Sequence, residues 1–276
     1  DFQYQGSVMT NTHIKGHSDI DLLVISSKFY HYDYMGVREI LSQPSKQAQY
    51  YPGELNKIRY EAELASYTGD SLEDLCKLRL DSEAILRSKY MPCETGKPKS
   101  IRIKNTNLNR DVDIVIANWY DDLRSITSGK GNNRGIQVYN KQLHERGKAD
   151  FPFLSIDRIN TRSAETEGRL KKIIRFLKNV KAKSSANIDL SSFDFNALCS
   201  DINVSKYGHL KFYQLVSVVF TQLYTLATHE MAANSLMSVD GGEYIFRGKP
   251  EKLQSRKNIM YEVTGILTDL NNERIA

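Results

Sequence analysis

The chain has 276 residues and a net charge of +5 at pH 7, with 40% hydrophobic and 26% charged residues. This composition is ordinary for a folded globular protein and excludes gross disorder, while the mild positive charge suits nucleotides better than long nucleic acid. The sequence predicts no membrane span, no secretory signal and, with three scattered cysteines, no disulfide framework, so the cytoplasm is the expected location.

The first predicted elements lie close to the start of the chain. Gly6-Ser7 forms a loop, a helical turn follows at 8–15, and Asp19 and Asp21 open an apolar strand over 20–26. Because alternate side chains of a strand share a face, the two carboxylates are expected to point together. Such a pair repels itself unless a cation lies between the two groups, and a divalent ion that also binds a triphosphate is the natural ligand.

The middle of the chain predicts a long helical stretch and then a hairpin. Apolar residues at helical spacing over 55–90 predict helix, with a break at 68–70. Alternating residues over 100–104 and over 111–116 flank a turn and predict two antiparallel strands. The second strand of this hairpin is expected to run beside the first strand of the chain.

That second strand carries another acidic pair, Asp111 and Asp113. Asp113 lies deeper in the strand and is the predicted third carboxylate ligand of the metal site, whereas Asp111 borders the turn. The alternative for Asp113 is an edge-strand charge that discourages aggregation. The pair Asp81/Glu83 is interpreted as a chance pair on a solvent-exposed helix.

The second half of the chain is predicted to be mainly α-helical. Residues 125–150 are interpreted as loops around a short strand at 135–139, and helical periodicity begins at 163. Further helices are predicted at three places: 192–201, 209–237 and 250–272. The sequence therefore predicts an α+β protein with a catalytic lobe at 1–160 and a helical lobe at 161–276.

The ordered set of Gly6-Ser7, Asp19-Ile20-Asp21 and Asp113 resembles the signature of the polymerase β-like nucleotidyltransferase superfamily. In that superfamily a Gly-Ser loop and three strand-borne carboxylates bind a nucleoside triphosphate with two Mg²⁺. The resemblance implies that Asp19, Asp21 and Asp113 are catalytic residues and metal ligands, with Mn²⁺ as a substitute for Mg²⁺. It also implies a sheet with helices, a helical second lobe and an active site in the cleft between them.

The resemblance narrows to one branch of that superfamily. Residues 5–12 look like the loop of the branch that contains cyclic GMP-AMP synthase, oligoadenylate synthetase and the bacterial cyclic-dinucleotide synthases. Residues 175–179 and 190–194 are similar to the lysine helix and the serine-aromatic helix start of that branch. The resemblance implies that the donor triphosphate is bound by residues of both segments: Gln5, Gly6, Ser7, Lys178 and Ser192.

Two of these residues have another interpretation. Lys178 lies among several cations on an amphipathic helix, which is typical of a solvated surface lysine. Ser192 is equally a suitable N-cap for the helix that it begins, and this role is compatible with phosphate binding.

The resemblance implies an enzyme that joins ATP, GTP or pyrimidine nucleoside triphosphates into a cyclic di- or trinucleotide messenger and releases pyrophosphate. It further implies bacterial antiphage signalling through a downstream effector that responds to the cyclic nucleotide. A membrane is not expected as a partner of the protein. Nucleic acid is not expected to be required, because the sequence has no Cys/His cluster like the zinc-binding insertion of the animal enzyme.

Two other functions stay open on the sequence. One is a nucleotidyltransferase directed at RNA or protein, and the other is a non-catalytic module that binds nucleic acid. The choice of bases, the ring size and the activating signal are not set by the residues.

Overall fold

The computed structural model describes residues 1–14, 19–107 and 109–273. These residues form two compact units. The first unit comprises residues 1–6 and 19–154, and the second comprises the described residues of 7–18 and 155–276. The assignment of catalytic and helical roles to the lobes 1–160 and 161–276 stays a prediction.

The first unit is built on one mixed sheet. Its seven strands are β1 (Phe2–Gln5), β2 (Ile20–Tyr32), β3 (Cys93–Glu94), β4 (Ile101–Asn105), β5 (Arg110–Asp121), β6 (Gly135–Asn140) and β7 (Glu145–Asp150). The order is β1-β2-β5-β4-β3, and β6 pairs with β5 and with β7. Strands β2 and β5 run parallel, and the other pairs are antiparallel. The predicted hairpin is confirmed as β4–β5, and so is the prediction that β5 runs beside β2.

The strands differ from the sequence prediction in extent and number. Strands β2 and β5 continue well past the predicted ends at 26 and 116, because both remain paired as far as Tyr32 and Asp121. Three strands were missed: β1, β3 and β7. Strand β1 alternates aromatic and polar residues but has only four of them, and β3 has two, so both are too short for a clear signal. Strand β7 is rich in charged residues and shows no apolar alternation.

Five helices follow β2 and β5 in the first unit: α2 (Tyr34–Ser42), α3 (Pro44–Gln47), α4 (Pro52–Glu63), α5 (Ser71–Lys89) and α6 (Leu123–Ser128). The predicted break at 68–70 separates α4 from α5, as expected. Asp70 begins α5 by accepting hydrogen bonds from the backbone N–H groups of Leu72 and Glu73. This capping satisfies two N–H groups that the first helical turn leaves without partners.

The chain enters the second unit through the one-turn helix α1 (Gly6–Met9) and returns to it after β7. The remaining helices are α7 (Pro152–Glu165), α8 (Arg169–Lys183), α9 (Ser192–Asp201), α10 (Leu215–Thr228), α11 (Glu230–Ser235) and α12 (Lys252–Glu273). Helix α9 has the predicted bounds. The predicted helix at 209–237 is two helices that meet at His229, and α7 begins earlier than the predicted start at 163.

The core of the second unit explains its helical pattern. On α8 an apolar stripe is buried: Leu170, Ile173, Ile174, Leu177 and Val180. These side chains belong to one large cluster with apolar residues of α9, α10 and α12. Burial of such a stripe, at about 25 cal/mol per Å² of apolar surface, is what stabilises a helix of this length. Among helices in the described ranges, none is both long and apolar enough to cross a membrane.

Candidate active site

A row of polar side chains crosses the sheet of the first unit at the start of β2. Gln5 of β1 is the register partner of Asp21, Asp21 is the partner of Asp113, and Asp113 is the partner of Arg102. Directly paired residues on neighbouring strands present their side chains to the same face of a sheet. Strand pairing therefore brings Gln5, Asp21 and Asp113 together, although they are far apart in sequence, and it adds Arg102.

Gly6 lies against this row and has a steric reason to be glycine. Its φ is +72°, which is the left-handed region that side chains disfavour. A Cβ atom on Gly6 would lie 2.3 Å from Oδ2 of Asp21, which is closer than any non-bonded contact allows. The backbone at Gly6 thus approaches a carboxylate more closely than any other residue type would permit.

Asp21 lies in an environment that opposes its negative charge. Burial, then the charges of Asp113 and Asp19, raise the pKa of Asp21 to about 6, and Arg102 opposes the shift. A carboxyl with its pKa raised in this way is stabilised by a cation nearby. The predicted repulsion between carboxylates at this site is therefore present in the structure.

Arg102 of β4 contacts two of the three predicted carboxylates and was missed by the sequence analysis. Its Nε donates to Oδ1 of Asp113 at 3.1 Å, and its Nη2 donates to Oδ2 of Asp113 at 2.7 Å. Nη2 also donates to Oδ2 of Asp19 at 3.0 Å. Alternation over 100–104 puts Arg102 on the polar face of β4, but only the register of the hairpin pairs it with Asp113.

Asp113 has two further donors from the loop before β4. Lys97 Nζ lies 3.4 Å from Oδ1 of Asp113, and Ser100 Oγ donates to the same oxygen at 3.2 Å. Burial would raise the pKa of Asp113, but the hydrogen bond and charge of Arg102, with Lys97 and Ser100, outweigh it and lower that pKa. Asp113 is thus held ionised in one orientation, and it is not a free edge-strand charge.

A buried ion network fixes the loop that carries these donors. Arg79 of α5 is fully buried, and its Nη2 donates to the backbone carbonyls of Lys97 and Ser100, each at 2.9 Å. Its Nε donates to Glu83 at 2.7 Å, and Lys141 Nζ donates to both oxygens of Glu83 at 2.9 Å. The interpretation of Glu83 as part of a chance pair on a solvent-exposed helix is wrong. Its burial follows from the α5 face that it shares with Arg79, four residues earlier.

The donor chemistry of the site fits a hard divalent ion. Asp19, Asp21 and Asp113 supply carboxylate oxygens on one face of the sheet, and such ligands are those that Mg²⁺ prefers. As the side chains stand, however, no three His, Cys, Asp or Glu residues within the described ranges are gathered closely enough to hold an ion. The Arg102 guanidinium donates to Oδ2 of both Asp19 and Asp113, so an ion would compete with it for Asp19 or share Oδ2 of Asp113, which has a second lone pair.

The other predicted binding residues lie in the second unit. Ser7 belongs to α1, and its carbonyl accepts from the backbone N–H of Thr12 at 2.9 Å. Lys178 of α8 is 6% exposed, and its Nζ donates to the carbonyl of Thr12 at 2.8 Å. Burial lowers the pKa of Lys178 to about 8. The alternative of a solvated surface lysine is therefore wrong.

Lys178 and Ser192 line one cavity of about 240 Å³ in the second unit. Lys181 lines it as well, and its Nζ donates to the carbonyl of Leu190 at 2.7 Å. Four apolar residues complete the wall: Ile14, Ala182, Leu190 and Phe195. The structure thus brings two of the predicted binding residues together and adds a second lysine.

The N-cap of α9 is Ser191, and the prediction of Ser192 for that role is wrong. The Ser191 side chain accepts from the backbone N–H of Asp194, and Asp194 accepts from the backbone N–H of Ser191. This reciprocal pair satisfies the helix end without Ser192. Ser192 is exposed at the first helical position. Its hydroxyl is therefore not committed to capping.

Comparisons with known proteins cover nearly the whole chain. Residues 157–268 match the family described as cGAS/DncV-like nucleotidyltransferase C-terminal helical domain. A c-di-GMP synthase of Lachnospiraceae bacterium (strain RUG226) is 46% identical over 272 residues, which are 98% of this chain and 78% of that protein. A c-di-GMP synthase of Capnocytophaga granulosa is 49% identical over 274 residues, which are 99% of this chain and 77% of that protein.

A solved structure shares the fold. The structure of a STING-associated CdnE c-di-GMP synthase from Flavobacteriaceae sp. matches with a TM-score of 0.89 and 35% identity, and the match covers 99% of this chain and 77% of that one. The similarity therefore extends over both compact units, including the sheet with the three carboxylates and the helices with Lys178 and Ser192.

Proposed function

Since the chain belongs to the cGAS/DncV-like family of nucleotidyltransferases, we propose that it joins two molecules of GTP into c-di-GMP and releases two molecules of pyrophosphate. The observation that carries this proposal is the 46% identity, over 98% of the chain, to a protein named c-di-GMP synthase. The sequence by itself leaves the substrate open among ATP, GTP and pyrimidine nucleoside triphosphates, and the relatives named c-di-GMP synthases favour GTP.

The three carboxylates are proposed to hold two Mg²⁺ ions, or Mn²⁺ in their place. When bound, the ions would neutralise triphosphate charge and lower the pKa of the acceptor hydroxyl. Asp19, Asp21 and Asp113 supply the oxygen ligands, and the network behind Asp113 keeps that carboxylate ionised and oriented. Phosphoryl transfer depends mostly on positioning and charge, so fixed carboxylates are the part of the chemistry that this chain supplies.

Five residues are proposed to bind the triphosphate: Gln5, Gly6, Ser7, Lys178 and Ser192. Gly6 lets the backbone approach a phosphate oxygen without a side chain in the way. Ser7 and Ser192 supply hydroxyl donors, Gln5 supplies an amide, and Lys178 supplies an ammonium group. The burial of Lys178 supports this role, because a buried lysine charge is stabilised when an anion arrives beside it.

The reaction is tested by incubating the purified protein with each ribonucleoside triphosphate and Mg²⁺ and identifying products by mass spectrometry. We expect c-di-GMP from GTP alone, and a loss of at least roughly 100-fold in rate for Asp113→Asn. The matched control is Asp111→Asn, two residues earlier on β5, which should keep most of the activity. A cyclic product with other bases would overturn the choice of guanine.

The remaining outcomes separate the alternatives. If RNA or protein is added and a nucleotide becomes attached to it, the enzyme is a transferase with a macromolecular acceptor. Absence of nucleotide turnover with Mg²⁺ and with Mn²⁺ would favour a non-catalytic nucleic-acid-binding module.

We further infer that the product is a cytoplasmic signal read by a STING-type effector in defence against phage. The support is the description of the Flavobacteriaceae relative as STING-associated. The effector then binds c-di-GMP. Expression of the protein with such an effector should protect cells from phage, and the Asp19→Asn variant should not.

A further inference from the structure

Arg102 does for two carboxylates what a bound cation would do. Three hydrogen bonds of 2.7 to 3.1 Å join its guanidinium to Asp113 and Asp19. A third acid, Asp111, has Oδ2 3.8 Å from Nη1 of Arg102. The guanidinium therefore neutralises part of the acidic cluster without any ion.

The two contacts of Arg102 differ in strength. The contact with Asp113 uses two nitrogens and both oxygens, is set by the register of β4 and β5, and involves a carboxylate that is 15% exposed. The contact with Asp19 uses one nitrogen, and that carboxylate is 43% exposed. Bidentate, sheltered pairs are stronger than single, solvated pairs. The contact with Asp19 is thus the one that breaks first.

We propose that Arg102 is a positioning residue that keeps hold of Asp113 throughout the reaction and competes with divalent ions for Asp19. The inference rests on the proposed ion site. It explains why the acids are not gathered for an ion as the side chains stand, although their types fit one. Because one positive charge already sits among the carboxylates, ions bind weakly until a nucleotide brings negative charges of its own. Ion binding is thereby linked to substrate binding.

The test measures Mn²⁺ binding by calorimetry in the absence of nucleotide. Arg102→Met should bind Mn²⁺ roughly tenfold more tightly than the natural chain, because the competing charge is gone. The matched control is Lys104→Met, which removes the same charge from an exposed position on the same strand and should change the affinity little. Equal affinity in Arg102→Met and the natural chain would overturn the inference.

A second variant separates charge from geometry. Arg102→Lys keeps the charge but loses the bidentate contact with Asp113. Its Mn²⁺ affinity should therefore stay near that of the natural chain, because the charge is unchanged. Its kcat should fall roughly tenfold or more, because Asp113 is no longer held in one orientation. If kcat is unchanged in Arg102→Lys, the positioning of Asp113 by Arg102 is refuted. Should Arg102→Met fail to fold by circular dichroism, Arg102→Gln provides the same comparison with a polar side chain.

The failure of the ion site itself is distinguishable from the failure of this inference. A variant with Asp19, Asp21 and Asp113 all changed to Asn should lose Mn²⁺ binding. If it still binds Mn²⁺, the proposed ion site is wrong. If it loses binding while Arg102→Met binds like the natural chain, the ion site stands and only the role of Arg102 falls.

Discussion

Gly6 shows how one missing side chain shapes the site. Gly6→Ala would combine a left-handed φ of +72° with a Cβ 2.3 Å from Asp21, so the loop or the carboxylate must move. We expect a loss of activity of at least roughly 100-fold, with a cost in stability of about 1–2 kcal/mol. Steady-state kinetics with GTP and urea unfolding measure the two effects.

The control for this substitution lies on α4. A Cβ on Gly53 would meet no atom within 4 Å, so Gly53→Ala should keep full activity and leave stability unchanged or slightly higher. Full activity in Gly6→Ala would show that the close approach of this backbone to Asp21 is not needed.

Lys178 should make stability depend on pH in the alkaline range. Burial lowers the pKa of Lys178 to about 8, below the value of about 10.4 in an unfolded chain. Between these values the unfolded chain binds a proton that the folded chain does not, so the folded state gains stability as pH rises. Lys178→Met lacks this gain. The stability of the natural chain relative to Lys178→Met should therefore rise by up to about 3 kcal/mol from pH 7 to pH 10.

Urea unfolding of both proteins across this pH range provides the measurement. Lys172→Met changes an exposed lysine of the same helix and should reproduce the pH dependence of the natural chain. If the free energies of unfolding of Lys178→Met and the natural chain change in parallel with pH, burial does not lower the pKa of Lys178.

At the scale of elements, α5 supports the loop before β4 through its buried ion network. Burial would raise the pKa of Glu83, but the hydrogen bonds from Lys141 and Arg79 outweigh it and lower that pKa. The stabilisation is present above the ordinary glutamate pKa and is lost as pH falls below it. Glu83→Gln should therefore cost about 3 kcal/mol of unfolding free energy at pH 7 and less near pH 3.

Chemical unfolding at the two pH values tests this prediction. The matched control is Asp81→Asn, an exposed acid on the same helix, which should change stability by less than about 0.5 kcal/mol. If Glu83→Gln is as stable as the natural chain, the network does not hold α5 against the loop before β4.

Sequence patterns predicted the elements whose periodicity is strong. The strand after Asp19, the hairpin, the break before α5, the stripe on α8 and the bounds of α9 follow from alternation, helical spacing and capping residues. The edge strands β1 and β7 have no strong signal of this kind, because β1 is four residues long and β7 is mostly charged, and pairing with a neighbour makes them strands. The existence of a strand there is a property of the sheet.

The residues of the predicted site also differ in whether the sequence alone can identify them. Asp21 and Asp113 stand out in the sequence because each acid interrupts an apolar strand. Arg102 and Arg79 do not, since cations are frequent in this chain and only register or burial distinguishes these two. Likewise, Ser191 and Ser192 are equally suitable N-cap residues in the sequence, and only the backbone shows that Ser191 precedes the helix.

At the scale of the whole molecule, the second unit contains a segment from the start of the chain. Thr10, Thr12 and Ile14 are buried, and Lys178 donates to the carbonyl of Thr12. A chain of residues 155–276 alone should therefore be less stable than one in which residues 7–18 are joined to it through a long Gly/Ser linker. Denaturant unfolding of the two chains, followed by circular dichroism, measures the difference. Equal midpoints would show that the early segment contributes nothing to that unit.

The parallel pairing of β2 and β5 has an evolutionary consequence. Asp21 and Asp113 face each other because the two strands are direct neighbours, and not because of the length of chain that connects them. Four helices and two strands lie in that connection. Insertions or deletions in the part of this connection with α2, α3 and α4, which precedes the segment from Arg79 to Arg102, can change the surface of the first unit without displacing either acid. Divergence in those three helices is thus compatible with retention of the paired acids.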